Sequence, residues 1–303
     1  MKKKILILGA SSVIGSNIIY SNKNLNVTGL IRKPISKHSR SKQKRLSYIK
    51  KNLIYINQKN ISKLKKYDVI INAIGLTANF NNKKYNLKKN KKIFHKYSKF
   101  ILNIVKNSEC KIFIHFGSSM EYSGLKNNSK QKLNENSLTT PDTKYGKFKI
   151  FEKKYFEKKL NEKKLKLVFL RIFSIYGFFL KKKSLIHSIV HDEKSKIKNP
   201  DNYLDIINTK YLLKIIEETI KKIDRFKEKS IIINCTSNNS IKIKHLFEKI
   251  KKNKKNYFDG NDLIKSNKLQ YIGSSNIVLN KLKLKKFNVL KDVNNILKNK
   301  ENI

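Results

Sequence analysis

The sequence predicts an α/β protein built on a doubly wound parallel sheet, with a smaller lobe toward its C-terminal end. Three observations lead there. Short apolar runs alternate with helical stretches as far as about Gly177. A glycine-bearing turn, Gly9-Ala10-Ser11-Ser12-Val13-Ile14-Gly15, joins the first run to the first helix. The chain has 303 residues and 39% hydrophobic content, enough to bury a sizeable core. Strand-helix alternation of this kind pairs strands in parallel through right-handed crossovers.

Ile5-Leu6-Ile7-Leu8 reads as the first strand, the segment from Ser16 as a helix and Val27-Thr28-Gly29-Leu30-Ile31 as the second strand, together a βαβ unit. Gly9 suits the tight turn, Gly15 suits close packing of helix on strand, and the helix N-terminus would face a pyrophosphate. Gly9, Ser11, Ser12, Val13, Ile14 and Gly15 are therefore candidate dinucleotide contacts. Ser12 replaces the middle glycine of a Gly-x-x-Gly-x-x-Gly turn: its Cβ narrows the approach, and its hydroxyl could bind phosphate. Lys2-Lys3-Lys4 before an apolar run also has the outline of an export signal. The run is short, however, contains turn residues and leads into a strand rather than a cleavage site. The second strand ends in Arg32-Lys33 with no acid nearby. A cation there accommodates a 2′-phosphate, which favours NADP over NAD and makes Arg32 the candidate contact. Against this, nearly every loop is basic, although arginine is scarce.

Tyr145-Gly146-Lys147-Phe148-Lys149 follows Ser118-Ser119, which end the apolar run Lys111-Ile112-Phe113-Ile114-His115-Phe116. On a helix, Tyr145 and Lys149 lie one turn apart on one face. Ionising a tyrosine at neutral pH requires a shift of about 3 units, roughly 4 kcal/mol. An ammonium ~4 Å away at an effective dielectric of about 20 supplies an energy of that size. A serine near the strand tip could make the second hydrogen bond to a reacting oxygen. Tyr145, Lys149 and Ser119 are thus the candidate catalytic residues, and Tyr145 and Lys149 also candidate cofactor contacts. Counting from Gly124 selects Ser119, whereas counting from Tyr122 selects Ser118; Ser119 is preferred. The pattern Tyr-x-x-x-Lys also arises by chance in a lysine-rich chain, so its value lies in order and context.

In that order and context the chain resembles the extended short-chain dehydrogenase/reductases that act on nucleotide sugars, the epimerase/dehydratase/ketoreductase family, nearly end to end. The residues carrying the resemblance are Gly9 to Gly15, Asp68-Val69-Ile70-Ile71-Asn72-Ala73-Ile74-Gly75, Ser118-Ser119-Met120-Glu121-Tyr122 and Pro141 to Lys149 with Glu152 just beyond. They continue with Leu170-Arg171-Ile172-Phe173-Ser174-Ile175-Tyr176-Gly177, Tyr203-Leu204-Asp205-Ile206, Ile233-Asn234-Cys235-Thr236 and Ser240-Ile241-Lys242-Ile243. The resemblance implies a Rossmann-like domain over 1–177, to which 203–236 return, and a small substrate-binding lobe from 178–202 and 237–303. It implies cofactor contacts at Asn72, Ala73 and Ile74, and substrate contacts at Ser119, Glu121, Ser174 and Tyr203. It also implies a structural asparagine, for which Asn90 is the candidate, and a homodimer through the helix bearing Tyr145.

Departures from the family pattern narrow the function. Pro200-Asp201-Asn202 stand where an arginine commonly binds the nucleotide diphosphate, and Ser174 where an asparagine is frequent; Lys181-Lys182-Lys183 or Lys198 could replace the missing charge. Met120 stands where a 4,6-dehydratase needs a proton donor, leaving Glu121 as the possible acid/base group or a structural acid. A thioether donates no proton, so dehydration is disfavoured. The expected activity is NAD(P)-dependent epimerisation or 4-keto reduction of a nucleotide-activated sugar. The alternative is a catalytically silent dinucleotide-binding or RNA-associating protein on the same fold.

The net charge of +49 would by itself suggest nucleic acid or an anionic membrane. Its lysines are spread over the whole chain and accompanied by abundant Ile and Asn, as drift in an AT-rich genome produces, so no specific nucleic-acid partner is expected. The most apolar stretch, Leu167 to Leu180, is too short to span a membrane and contains Arg171. Two cysteines and six histidines without ligand spacing argue against a disulfide scaffold or a metal site and suggest a reducing cytoplasm. Lys126 to Ser137 reads as a polar loop and Lys249 to Lys268 as a mobile connection.

Overall fold

The computed structural model describes residues 3–56, 64, 66–76, 85–125, 132–179, 186–187, 200–250 and 272–298. Among these, β1 (Lys4–Leu8), α1 (Val13–Ser21), β2 (Asn26–Ile31), α2 (Arg40–Tyr48), β3 (Leu53–Tyr55), β4 (Val69–Asn72), α3 (Leu87–Asn107), β5 (Ile112–Ser118), α4 (Lys144–Lys159) and β6 (Lys166–Ile172) follow in order. Next come β7 (Ser174–Tyr176), β8 (Tyr203–Leu204), β9 (Ile206–Asn208), α5 (Thr209–Lys221), β10 (Ser230–Cys235), β11 (Ile241–Lys242), α6 (Ile243–Ile250) and α7 (Val289–Lys298).

The main sheet has seven strands in the order β10-β6-β5-β4-β1-β2-β3, every pairing parallel. The chain winds outward from β1 through β2 to β3, then crosses back to β4 and winds the other way. The strand order therefore reverses between β1 and β4, where a doubly wound sheet opens a ligand crevice beyond its carboxyl ends. Burial on both faces explains the unbroken apolar strands. Ile5 and Ile7 of β1 join a core with Ile18 of α1 and Leu212 and Ile216 of α5; Leu6 and Leu8 join a second with Phe94 of α3 and Phe148 and Phe156 of α4.

Within the stretch 203–236 only β10 enters the main sheet. The short β9 pairs with β7 in a separate two-stranded sheet, and β8 pairs antiparallel with β11. Most of 178–202 and all of 251–271, including Lys181-Lys182-Lys183, Lys198 and most of the expected mobile connection, lie outside the described residues, as do 126–131 of the polar loop. No described helix is long and apolar enough to cross a membrane, and among the described residues no group of three His, Cys, Asp or Glu is placed to hold a metal ion.

Candidate active site

The glycine turn closes against the switch point. Gly9 has a φ of +84°, and a Cβ there would lie 2.8 Å from the Ala73 carbonyl carbon and the Ile74 nitrogen. Only glycine meets both demands. A Cβ on Gly15 would lie 2.5 Å from the Gly9 oxygen, so α1 packs tightly on the turn. Ser12 caps α1, its Oγ accepting from the Gly15 amide at 3.0 Å. That bond occupies an acceptor position and leaves the hydroxyl proton for a ligand. Arg45 of α2 donates to the Ser11 carbonyl at 3.1 Å and holds the turn from outside, while Arg32, just after β2, is exposed.

Asn72, expected to contact cofactor, is fully buried and turned inward. Its Oδ1 accepts from the Ile74 amide at 3.1 Å, and its Nδ2 lies 2.9 Å from His115 Nδ1. Asn72 thus shapes the Ala73-Ile74 turn and spends both ends of its amide inside the protein.

The segment after β5 forms a 3₁₀ turn over Ser119–Tyr122. Ser118 caps it, its Oγ accepting from the Met120 amide at 3.2 Å. Ser119 is buried, and no described group hydrogen-bonds its hydroxyl. The first turn of α4 docks on this segment: a Cβ on Gly146 would lie 2.1 Å from the Met120 oxygen. Ser123 Oγ accepts from the Asp142 and Thr143 amides at 3.1 and 3.2 Å, and Thr143 caps α4. Tyr145 consequently stands beside the Ser119 turn, half-buried, with Lys149 Nζ 5.7 Å from its ring centroid and Tyr85 packed edge-on at 6.0 Å.

Lys149 is 5% exposed. Its Nζ donates to the Phe116 carbonyl at 3.1 Å and to Glu152 Oε2 at 2.7 Å. It also lies 3.8 Å from where a Gly75 Cβ would stand, which ties α4 to the turn after β4. Burial disfavours the ammonium, but Glu152, Tyr145 and Glu121 outweigh it and raise the Lys149 pKa, so the cation persists. Burial likewise pushes the Glu152 carboxyl up, yet the Lys149 ammonium and His115 bring it to about 2. Buried His115 is lowered from its usual value, chiefly by loss of solvation.

Both lowered values make acid destabilising, because the unfolded chain binds protons that the folded one refuses. Stability is expected to fall as pH drops below the ordinary histidine value of 6.5, and further below the ordinary glutamate value of 4.5 toward the folded Glu152 value of about 2. A urea midpoint that stays flat between about pH 7 and pH 4 would contradict this.

Glu121 is 1% exposed, and both of its oxygens are engaged. Oε1 accepts from the Ser118 amide at 3.0 Å and Oε2 from Arg171 Nε at 2.7 Å. Arg171 Nη1 in turn donates to the Tyr122 hydroxyl at 2.6 Å. The carboxylate folds over Gly117, where a Cβ would lie 2.5 Å from Oε1. Of the two roles expected for Glu121, acid/base group or structural acid, this arrangement favours the second: the carboxylate is held in an interior ion pair. Ser174 opens β7 directly after β6, and Tyr203 lies in β8, 38% exposed, with Lys242 Nζ 5.9 Å from its ring centroid. Neither has a described contact with Tyr145 or Lys149. Asn90 sits half-buried in the first turn of α3.

Sequence reasoning missed His115 and Arg171 as network members. The available signal was a polar residue in the middle of each apolar run, at positions facing the sheet's interior.

A sequence model of the NAD dependent epimerase/dehydratase family matches residues 5–204, and no curated protein sequence matches the chain. Among solved structures, UDP-N-acetylglucosamine 4-epimerase from Methanobrevibacter ruminantium, in complex with UDP-N-acetylmuramic acid, is 19% identical; the match covers 98% of each chain with a TM-score of 0.71. A UDP-glucuronic acid 4-epimerase mutant from Bacillus cereus, bound to a fluorinated UDP-sugar and NAD, is 17% identical over 98% of this chain and 100% of that one, at a TM-score of 0.71. UDP-glucose-4-epimerase from Stenotrophomonas maltophila, with NAD and formylated UDP-arabinopyranose, is 13% identical over 97% and 96%, at 0.76. At these identities the structures speak for the fold. The family match spans the glycine turn, the switch point and the tyrosine helix, and on that basis this chain belongs to the NAD dependent epimerase/dehydratase family.

Proposed function

We propose that the protein is an NAD(P)-dependent enzyme acting on a nucleotide-activated sugar, epimerising a carbinol or reducing a 4-keto group. The observation that carries this reading is Lys149: a buried, cationic ammonium lying against both the Tyr145 ring and Gly75 of the turn bordering the crevice. The crevice suits a dinucleotide, since α1 presents its first-turn amides behind a turn that tolerates no Cβ at Gly9. Gly9, Ser11, Ser12, Val13, Ile14 and Gly15 would hold the pyrophosphate, with Ala73 and Ile74 on the facing wall. When bound, the nicotinamide supplies the hydride acceptor or donor.

In this reading Tyr145 exchanges the proton of the reacting hydroxyl, and Lys149 favours its ionised form. Ser119, whose hydroxyl is bonded by no described group, orients the sugar oxygen, while Ser118 is the cap of the turn. Glu121 is structural, which leaves dehydration without an acid at Met120 or beside it. The named activities of the structural neighbours make epimerisation the favoured branch. Incubation with nucleotide sugars tests it: an isomerised product with retained dinucleotide supports an epimerase, and consumption of added NADPH with a 4-keto sugar supports a reductase. Failure to bind any dinucleotide would refute both.

The finer cofactor preference is NADP, although several neighbours are described with NAD. Arg32 stands exposed after β2, where an acid would select an unphosphorylated ribose. Replacing Arg32 with Ala is expected to weaken NADP about tenfold and leave NAD unchanged, read by calorimetric titration; an equal loss for both would rule Arg32 out as the selector. Cys110 and Cys235, both free thiols, suit a reducing cytoplasm. Self-association through α3 and α4 would bring Lys88, Lys92, Lys96 and Lys99 of two copies together. Any homodimer is therefore expected to tighten as salt is raised, which light scattering would detect.

A further inference from the structure

We infer that Glu152, anchored by His115 and Asn72, is a positioning residue that sets the effective charge felt by Tyr145. The argument begins at a group whose role is unambiguous. The Ile74 amide can only donate, so the Asn72 oxygen must be its acceptor, 3.1 Å away. The Asn72 amide nitrogen then faces His115 Nδ1 at 2.9 Å, which makes Nδ1 the unprotonated ring nitrogen. The single proton of a neutral imidazole therefore sits on Nε2, which lies 3.4 Å from Glu152 Oε2, near enough for electrostatic attraction but outside hydrogen-bond geometry. The same oxygen takes the Lys149 ammonium at 2.7 Å, and Oε1 takes the Tyr97 hydroxyl at 2.8 Å. From the Ile74 amide to His115 each bond dictates the polarity of the next, and the His115 N–H then acts on Glu152 through space, beside the lysine below Tyr145.

Burial decides what this chain does. Glu152 is 0% exposed and His115 2%, so water does not screen the carboxylate from its neighbours. A bare ammonium would favour ionisation of Tyr145 strongly; paired with Glu152 it does so only by the difference between the two fields. The ion pair also keeps Lys149 from swinging toward Tyr145, since its other described bond is to the fixed Phe116 carbonyl. Among the described residues, the other charged or titratable groups facing this cluster are Tyr97 of α3, Tyr85 ahead of α3, Tyr145 itself and Glu121 of the 3₁₀ turn, the last held by Arg171. His115 stays neutral in this interior, which suits an anchor rather than a charge carrier.

The catalytic meaning of this inference rests on Tyr145 as the proton-exchanging group, but the charge relation is measurable without substrate or cofactor. The near-ultraviolet tyrosinate band of the full chain is titrated, and the same curve for a Tyr145→Phe protein is subtracted to isolate Tyr145. In Glu152→Gln the Tyr145 transition is expected about one pH unit lower than in the parent. His115→Leu should shift it in the same direction by less, and His115→Gln, which restores an N–H donor, should return it to the parent value. A Tyr145 transition that stays in place or moves upward in Glu152→Gln overturns the inference, even if the variant has lost thermal stability. Should that variant fail to fold, nitrogen chemical shifts of His115 in the parent protein decide: a neutral ring protonated on Nε2 from about pH 5 to 9 is expected, and an Nδ1–H tautomer or an imidazolium overturns the chain of bonds. A Tyr145→Phe protein that retains turnover would remove the proton-exchanging role on which the catalytic meaning rests but leave these titrations unaffected, so the two failures are distinguishable.

Discussion

Tyr145→Phe is expected to lower turnover by about 10²- to 10⁴-fold, the range lost when a positioned proton-transfer group is removed. The ring remains to pack against Tyr85, and Lys149 keeps its bonds to Phe116 and Glu152, so fold and dinucleotide affinity should survive. The measurement pairs product formation from a nucleotide sugar with dinucleotide titration of the same preparation. Loss of both together would mean that the substitution damaged the crevice and say nothing about the proton. Full retention of turnover would take Tyr145 out of the chemistry.

Arg171→Leu should destabilise the fold by about 3–5 kcal/mol, because Glu121 would be left charged, buried and without its partner. The loss spreads, since the Arg171 guanidinium also donates to Tyr122, whose hydroxyl reaches Asn234 Oδ1 at 2.9 Å and the Asn134 carbonyl at 2.9 Å. β5, β6, β10 and the segment at 132–137 share this one cluster. Denaturant unfolding of the variant measures the effect, and a change below about 1 kcal/mol would show that the pair is dispensable. Glu121→Gln separates structure from chemistry: it should lower stability yet keep most of the turnover per folded molecule. A hundredfold loss of turnover at unchanged stability would return Glu121 to the catalytic set.

The doubly wound sheet was legible because its signals are local. Ile5 to Leu8 is a buried strand by composition, Gly9 answers a steric demand within a few residues, and a parallel connection has one favoured hand. The pairing of Tyr145 with Lys149 was legible for the same reason, since four residues on a helix fix their separation. The direction in which Asn72 points was not legible. In sequence it reads as a residue at the mouth of the crevice, but β4 and β5 pair with Asn72 directly opposite His115, and a buried amide takes the partner the register offers. The surroundings of Glu121 were not legible either. Its neighbours in the sequence left an acid/base group and a structural acid both open, because its partner Arg171 lies on the next strand, with Gly117 paired opposite that arginine.

By itself, then, the sequence determined the order of strands and helices, the glycine turn at the switch point and the spacing of tyrosine and lysine, all consequences of chain geometry over a few residues. The tertiary structure decided which polar groups are spent inside. It made Ser118 a cap and left the Ser119 hydroxyl without a bond among the described residues, gave Glu121 to Arg171, and drew Asn72, His115 and Glu152 toward Lys149. Those choices depend on strand register and helix docking, which bring together groups far apart in the chain, and burial then obliges each of them to find a partner.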